Sequence, residues 1–194
     1  MKFQRICVYC GSSSGSRPVY TETAHGLGRT LAERGIGLVY GGAHVGTMGA
    51  VADGALSAGG EVIGVIPHGL TALEVAHTGL SELHAVRSMH ERKAMMENLA
   101  DGFISLPGSY GTLDESFEIL VWLQLGIHTK PIGLLNIEGY YDHLLAHLDR
   151  SREEGFLKPE NQELLLVESE PAALLDRLEA WEAPDIPRWV PDQS

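Results

Sequence analysis

Polar and apolar positions along this chain alternate between two periods. Short β-branched or apolar runs fall at 5–10, 37–40, 61–66, 82–86, 102–106, 131–135 and 164–167, and each predicts a strand. Between most of them the pattern changes to a helical one, at about 47–58, 89–100, 112–126, 140–153 and 171–182. The helix ahead of these carries the clearest signals. Ser16 is placed to cap it, Pro18 falls in its first turn, Tyr20, Ala24, Leu27 and Leu31 share a face, and Gly35 stops it. This alternation predicts an α/β, Rossmann-like three-layer fold: a mainly parallel central sheet flanked by helices.

Helix 112–126 departs from the amphipathic pattern. Phe117, Ile119, Leu120, Val121, Trp122, Leu123 and Leu125 leave it almost no polar face. Such a helix is expected to be buried all round, which in a small domain points to a subunit interface and a homodimer. The alternative is a central helix covered by its own chain.

With 194 residues and 44% hydrophobic content, the chain can bury one sizeable core but is short for two domains. The expected organisation is a single α/β domain over 1–182 and a Pro-rich, irregular tail over 183–194. A net charge of -12 with only 14 Lys and Arg residues opposes a nucleic-acid or anionic-membrane surface, because phosphate backbones attract broad basic patches. Any bound phosphate should therefore be held locally. No run approaches the roughly 20 apolar residues of a membrane span, so the expectation is a soluble, cytoplasmic protein without a membrane partner.

Cys7 and Cys10 form a C-x-x-C spacing, which suits a redox pair or half of a metal site. Packing is the stronger reading, since both lie in an extended apolar segment and no second C-x-x-C completes a zinc site. The nine histidines show no H-x-x-H or H-E-x-x-H pattern. The chain calls for no metal and no cofactor.

In parallel α/β sheets, ligands sit beyond the carboxyl ends of the strands, so the informative residues are those that leave a strand and open the next helix. Gly11-Ser12-Ser13-Ser14-Gly15-Ser16 follows the first strand, and Gly41-Gly42-Ala43-His44-Val45-Gly46 follows the second. Both loops suit a close backbone approach and an anion at a helix start, although Gly and Ser also make ordinary turns. After the fourth strand, Met89, Arg92 and Met96 are spaced to share a helix face. That places a guanidinium between two methionines, unless Arg92 is an exposed first-turn residue covering apolar surface with its stem. After the fifth strand comes Pro107-Gly108-Ser109-Tyr110-Gly111-Thr112-Leu113-Asp114-Glu115, a glycine-freed loop with a hydroxyl and N–H groups at the helix start. It reads as a phosphate cradle, or as a capping box with Thr112 as N-cap and Glu115 three residues on. Arg92 and Glu115 each open a helix that follows a parallel strand, so both should face one crevice together with the two Gly loops.

Other nucleotide and cofactor motifs are absent. Position 43 breaks G-x-G-x-x-G, nothing matches a Walker A loop, and only Lys93 is near enough to the rim to suggest a Schiff-base lysine. The motifs do resemble those of the LONELY GUY (LOG) family of cytokinin riboside 5'-monophosphate phosphoribohydrolases, often mislabelled lysine decarboxylases. The resemblance runs from Val8-Tyr9-Cys10-Gly11-Ser12-Ser13 through Val39-Tyr40-Gly41-Gly42, Gly46-Thr47-Met48-Gly49 and Met89-His90-Glu91-Arg92-Lys93 to Pro107–Glu115, Leu125-Gly126-Ile127-His128 and Pro131-Ile132-Gly133-Leu134-Leu135-Asn136. Its hallmark, P-G-G-x-G-T-x-x-E, is met here except that Ser109 replaces the second glycine. A third glycine is common where Ala43 follows Gly41-Gly42. If position 109 requires a positive φ, serine strains the loop, and phosphate affinity is the property affected.

The resemblance implies a nucleotide-binding domain with Arg92 and Glu115 as the catalytic pair. It also implies that Gly108, Gly111 and Thr112 hold the 5'-phosphate with help from the Gly11 and Gly41-Gly42 loops, in a homodimer with active sites near the interface. The expected substrate is a nucleoside 5'-monophosphate whose N-glycosidic bond is hydrolysed to free base and ribose 5-phosphate. Glu115 would stabilise positive charge on the ribose, hold its hydroxyls or direct water. Arg92 would steady charge on the departing base or orient Glu115. Ser12, Lys93 and Ser109 complete the expected binding set, with Met89 and Met96 against the base. Three readings stay open at this point: a cytokinin-activating hydrolase, a general AMP nucleosidase, and a non-catalytic nucleotide or cofactor carrier of the same fold.

Overall fold

The computed structural model describes residues 2–71 and 75–184. Seven strands, β1 (Arg5–Tyr9), β2 (Gly37–Tyr40), β3 (Val62–Pro67), β4 (Glu82–Val86), β5 (Gly102–Ser105), β6 (Ile132–Leu135) and β7 (Leu165–Glu168), form one sheet in the order β4-β3-β2-β1-β5-β6-β7. Every pairing is parallel. The helices are α1 (Pro18–Glu33), α2 (Gly46–Ser57), α3 (His68–Thr71), α4 (Met89–Leu99), α5 (Tyr110–Gln124), α6 (Asp142–Glu153), α7 (Pro159–Gln162) and α8 (Pro171–Glu179), with a 3-10 turn at Ile137–Gly139. The α/β architecture is thus the one expected from the alternation of periods. The two shortest helices, α3 and α7, and the 3-10 turn were not expected, because one turn leaves no periodicity to read.

Two apolar clusters cover the two faces of the sheet. Ile6, Val8, Leu38, Tyr40 and Val62 pack beneath α1, α2 and α8, while Cys7, Tyr9, Val39, Ile63 and Phe103 pack beneath α4 and α5. The strand pleat sends neighbouring side chains to opposite faces. Cys7 and Cys10 consequently belong to different clusters, and both are free and buried. Burial pushes both thiols above their ordinary range, which suits packing and opposes a redox pair.

Two helix starts differ from expectation, and a capping box lies at a third. At α1 the cap position falls on Arg17 rather than Ser16, and no side chain bonds there. Pro18 at the first helical position has no N–H to satisfy, which lowers the need for a cap. α5 begins two residues early, with Ser109 at the cap position and Thr112 already inside the first turn, so Thr112 and Glu115 form no capping box. The box lies on α4 instead, where Ser88 Oγ accepts from the Glu91 amide at 3.1 Å and Glu91 Oε2 accepts from the Arg87 amide at 2.8 Å. The S-x-x-E spacing at 88–91 was the overlooked signal.

Nor is α5 buried all round. Thr112, Glu115, Ser116, Ile119 and Leu123 face inward, whereas Tyr110 is 91% and Val121 46% exposed. A covering by its own chain is therefore not what the described residues provide. Of the expected tail over 183–194, positions 185–194 lie outside the described residues.

The winding of the sheet decides where a ligand can enter. The chain steps from β1 outward to β4 on one side, then crosses to β5 and continues outward to β7. The loops leaving β1 and β5 diverge to opposite sides of the sheet, which opens a crevice at their carboxyl ends.

Candidate active site

The β1 side of this crevice is the Gly11–Ser16 loop. Thr47 Oγ accepts from the Gly11 amide at 2.9 Å and donates to the Gly11 carbonyl at 3.1 Å. The Thr47 and Met48 amides donate to the Ser13 and Gly11 carbonyls. The first turn of α2 is thereby engaged by the chain's own loop, so the anion site expected at its start is already filled by protein carbonyls.

On the β5 side the helix start is open. No side chain caps α5, and the first N–H groups of a helix have no intrahelical acceptor. These donors and the helix dipole make it the stronger anion site of the two. The loop ahead of it folds tightly, since a Cβ on Gly108 would lie 2.1 Å from Thr112 Oγ. Ser109 has φ -108, a region open to any residue, so the strain considered for a serine at this position does not arise. Gly111 faces open space.

Between the two sides lies a buried ion pair. Arg92 Nη1 donates to Glu115 Oε1 at 2.8 Å, with the two side chains only 10% and 7% exposed. Arg92 Nε donates to the Val65 carbonyl at 3.0 Å, which pins the guanidinium to the end of β3. Gly41 makes room for it: a Cβ there would lie 2.3 Å from Nη2. Burial holds the Glu115 carboxyl above its ordinary range, against the opposing pull of Arg92. Arg92 is thus neither exposed nor a stem over apolar surface.

Two cavities share a wall here, and the smaller opens onto this pair. One, of about 170 Å³, is lined by Met48, Met89, Arg92, Thr112 and Glu115 among others. The second, of about 230 Å³, extends past Ser13, Tyr20, Pro107, Gly108 and Tyr140. Gly11, Ser12 and Ser109 border both. The crevice therefore brings together Gly11, Ser12, Met89, Arg92, Gly108, Ser109, Gly111, Thr112 and Glu115.

Four expected residues sit elsewhere. Met96 is fully buried in the core beneath α4, one turn too deep to reach the crevice; Met48 takes the place expected for it. Lys93 points along the α4–α5 seam, where Nζ meets Asp114 at 3.1 Å and Glu118 at 3.0 Å. Gly41 serves Arg92 rather than bordering either cavity. Gly42 adopts φ +78 and backs onto Val65, Ile66 and Leu83. Met48, Tyr20 and Tyr140 were missed by sequence reasoning. The G-T-M-G run around Met48 was a visible cue, but nothing local distinguished the two tyrosines.

The arrangement offers an anion cradle next to a buried carboxylate and a fixed guanidinium. It does not suit Lys93 as a Schiff-base lysine, because its ammonium is tied to Asp114 and Glu118, whose carboxylates raise its pKa beyond the opposing effect of burial. Among the described residues no three His, Cys, Asp or Glu side chains are grouped to hold a metal ion.

Comparison with known proteins places this chain in context. A family model described as "Possible lysine decarboxylase" matches residues 48–178. A probable cytokinin riboside 5'-monophosphate phosphoribohydrolase of Oryza sativa subsp. japonica is 48% identical, with 93% of this chain covered and 79% of the relative. A cytokinin riboside 5'-monophosphate phosphoribohydrolase of Arabidopsis thaliana is also 48% identical, over 93% of this chain and 83% of that one. The chain belongs to the LONELY GUY family. Its Arg92 and Glu115, and the loop from Pro107, are the residues through which the sequence resembled that family. More distant folds agree in architecture alone. The molybdenum cofactor binding protein of Rippkaea orientalis superposes with a TM-score of 0.70 at 23% identity, covering 93% of this chain and 98% of that one. The molybdenum cofactor carrier protein of Chlamydomonas reinhardtii gives 0.65 at 20% identity, covering 91% and 98%.

Proposed function

We propose that this chain hydrolyses the N-glycosidic bond of cytokinin riboside 5'-monophosphates, releasing free base and ribose 5-phosphate. The observation that carries the chemistry is the buried Arg92–Glu115 pair at 2.8 Å beside the uncapped start of α5. The 5'-phosphate lies on the α5 amides with Gly108, Ser109, Gly111 and Thr112, and the Gly11-Ser12 turn closes the opposite wall. With the phosphate there, the ribose reaches Glu115. As the glycosidic bond lengthens, positive charge grows at C1', and a carboxylate in a poorly solvated site stabilises it. Arg92 is too basic to give up a proton readily. Its Nε is anchored on the Val65 carbonyl and its Nη1 orients Glu115, so the fixed positive charge of the guanidinium can steady the charge that develops on the departing base. Met48 and Met89 offer the base an apolar wall, and Met89, 45% exposed at the rim, leaves room for an N6 substituent.

Residues 1–182 form one nucleotide-binding domain in this reading, since strands from β1 to β7 share one sheet and α8 packs beneath it. A second copy covers the outer strip of α5, where Leu113, Phe117, Val121 and Trp122 line a groove beside Tyr110. A net charge of -12 disfavours nucleic acid as a partner. No helix among the described residues is long and apolar enough to cross a membrane, and two unpaired buried thiols suit the cytoplasm.

The test is chromatographic. Purified protein is incubated in parallel with isopentenyladenosine 5'-monophosphate and with AMP, and free base and ribose 5-phosphate are followed. Faster release from the isopentenyl substrate is expected. Equal rates would make the protein a general nucleosidase, and binding of both without release would make it a carrier.

A further inference from the structure

The crevice has a third support that the sequence motifs do not include. Beyond β6 the chain makes the 3-10 turn at Ile137–Gly139 and enters Tyr140 and Tyr141, which reach back across the sheet edge to the loop after β5. Tyr140 Oη donates to the Gly108 carbonyl at 2.7 Å, and Tyr141 Oη donates to the Leu106 carbonyl at 2.6 Å. Both carbonyls belong to the three residues that lead into the open start of α5.

The geometry of the peptide unit gives this contact a consequence. In a trans peptide the C=O and the following N–H point in opposite directions. Holding the Gly108 oxygen at Tyr140 therefore turns the Ser109 N–H to the other side of the peptide plane, away from Tyr140. Without the phenol, the Gly108–Ser109 peptide unit loses the contact that fixes its rotation.

The tyrosines are themselves tightly braced. Asn136 Oδ1 accepts from the Tyr141 amide at 2.7 Å, and Asn136 Nδ2 donates to Asp142 at 2.8 Å. The rings of Tyr140 and Tyr141 meet edge to face at 4.8 Å, and Tyr20 packs edge-on against Tyr140 at 5.7 Å. Glu138 sits at φ +48, a conformation rare outside glycine, and is tied to Arg17 at the start of α1 by an ion pair. A strained residue persists where the surroundings over-determine it. Burial pushes the Tyr141 phenol above its ordinary range, which favours the protonated, donating form.

We propose that Tyr140 and Tyr141 are positioning residues for phosphate binding: their hydroxyls hold the Gly108 and Leu106 carbonyls so that the Ser109 and α5 amides are aimed at the ligand before it arrives. The inference rests on the phosphate lying at the start of α5, as proposed above. Tyr140 acts on the orientation of the loop, and the reacting bond is remote from it. Its loss should weaken binding of phosphate-bearing ligands and leave the chemical step alone.

The experiment is Tyr140→Phe, which keeps the ring and removes the hydroxyl, measured with AMP as substrate and ribose 5-phosphate as competitive inhibitor. KM and the inhibition constant should each rise about fivefold, the size of effect expected from one lost hydrogen bond, with kcat within about twofold. Inhibition by ribose, which has no phosphate, should be unchanged. Tyr141→Phe, at a fully enclosed hydroxyl, should raise KM at least as much, and its melting temperature reports any folding defect separately. Thr112→Val separates this inference from the reading beneath it. If Thr112→Val raises KM but Tyr140→Phe changes nothing, the phosphate site stands and the positioning role is wrong. If neither changes KM, the phosphate lies elsewhere and both fall. A drop in kcat at constant KM in Tyr140→Phe would also overturn the proposal.

Discussion

Replacing Glu115 by glutamine removes one negative charge while nearly preserving the side chain's shape. That charge faces a ribose that becomes positive at C1' as the glycosidic bond lengthens. For unit charges about 4 Å apart at an effective dielectric near 20, the interaction is about 4 kcal/mol, or about three orders of magnitude in rate. The charge develops only in part, and Arg92 stands 2.8 Å from the same carboxylate. Both reduce the effect, so the expected loss in kcat is about 10²- to 10³-fold. KM should stay within about threefold, because the α5 amides are untouched.

Stability is pulled two ways. Burial raises the Glu115 carboxyl above its ordinary range even with Arg92 pulling it down. A carboxyl raised in the folded state contributes its full stability below the unfolded value and loses it as pH rises through the folded value. At neutral pH the ionised Glu115 therefore weighs against the folded state. Glu115→Gln relieves that burden but leaves the buried Arg92 guanidinium without its counter-charge, so its melting temperature at pH 7 should fall, and by less than that of Arg92→Met. Chromatographic turnover and thermal melts on the same preparation check both halves. A kcat within about fivefold of wild type would remove the carboxylate's charge from the mechanism, and a loss carried by KM would assign Glu115 to ground-state binding.

Arg92→Met leaves that carboxyl buried without its partner, so the acid limb of the pH profile of kcat should move to higher pH, and denaturant melts at pH 7 should show a loss of about 3 kcal/mol; an unmoved limb would mean that Arg92 does not set the charge of Glu115. Ser109→Gly should bring no tighter binding of ribose 5-phosphate, because the serine backbone is unstrained, and should lower stability by about 0.5–1 kcal/mol through the added freedom of the unfolded chain. Tighter binding would show instead that the hydroxymethyl crowds the ligand. Val121→Glu places a charge on the outer strip of α5 and should convert a dimer to monomer in sedimentation equilibrium; a wild-type monomer, or an unaffected dimer, would refute the second copy on this face.

The sequence by itself determined much of the frame. Strand positions were legible to within a residue, because a short apolar run in a parallel sheet is fixed by burial on both faces and needs little context. The crevice was legible too, because residues that leave parallel strands share one end of the sheet, so Arg92 and Glu115 were placed together from their positions alone. Local chemistry misled where two signals competed. At α5 the Thr112 hydroxyl and Glu115 also allowed a capping box beside the phosphate cradle, yet Glu115 belongs to the ion pair and the helix begins at Tyr110. The helix start is left open as a result. The +4 spacing from Arg92 to Met96 put both on one face, but a helix over a sheet buries the end of that face that lies deeper in the core.

Only the tertiary structure decided the rest. The first turn of α2 is engaged by the Gly11 loop, while that of α5 has no side-chain cap among the described residues. That asymmetry depends on how two loops fold against each other. Lys93 turns to Asp114 and Glu118 because α5 happens to present both carboxylates beside it. Tyr140 and Tyr141 reach Gly108 and Leu106 from more than thirty residues away. No periodicity or motif encodes such contacts: spacing along the chain fixes which face a residue occupies, and only packing fixes what stands opposite it.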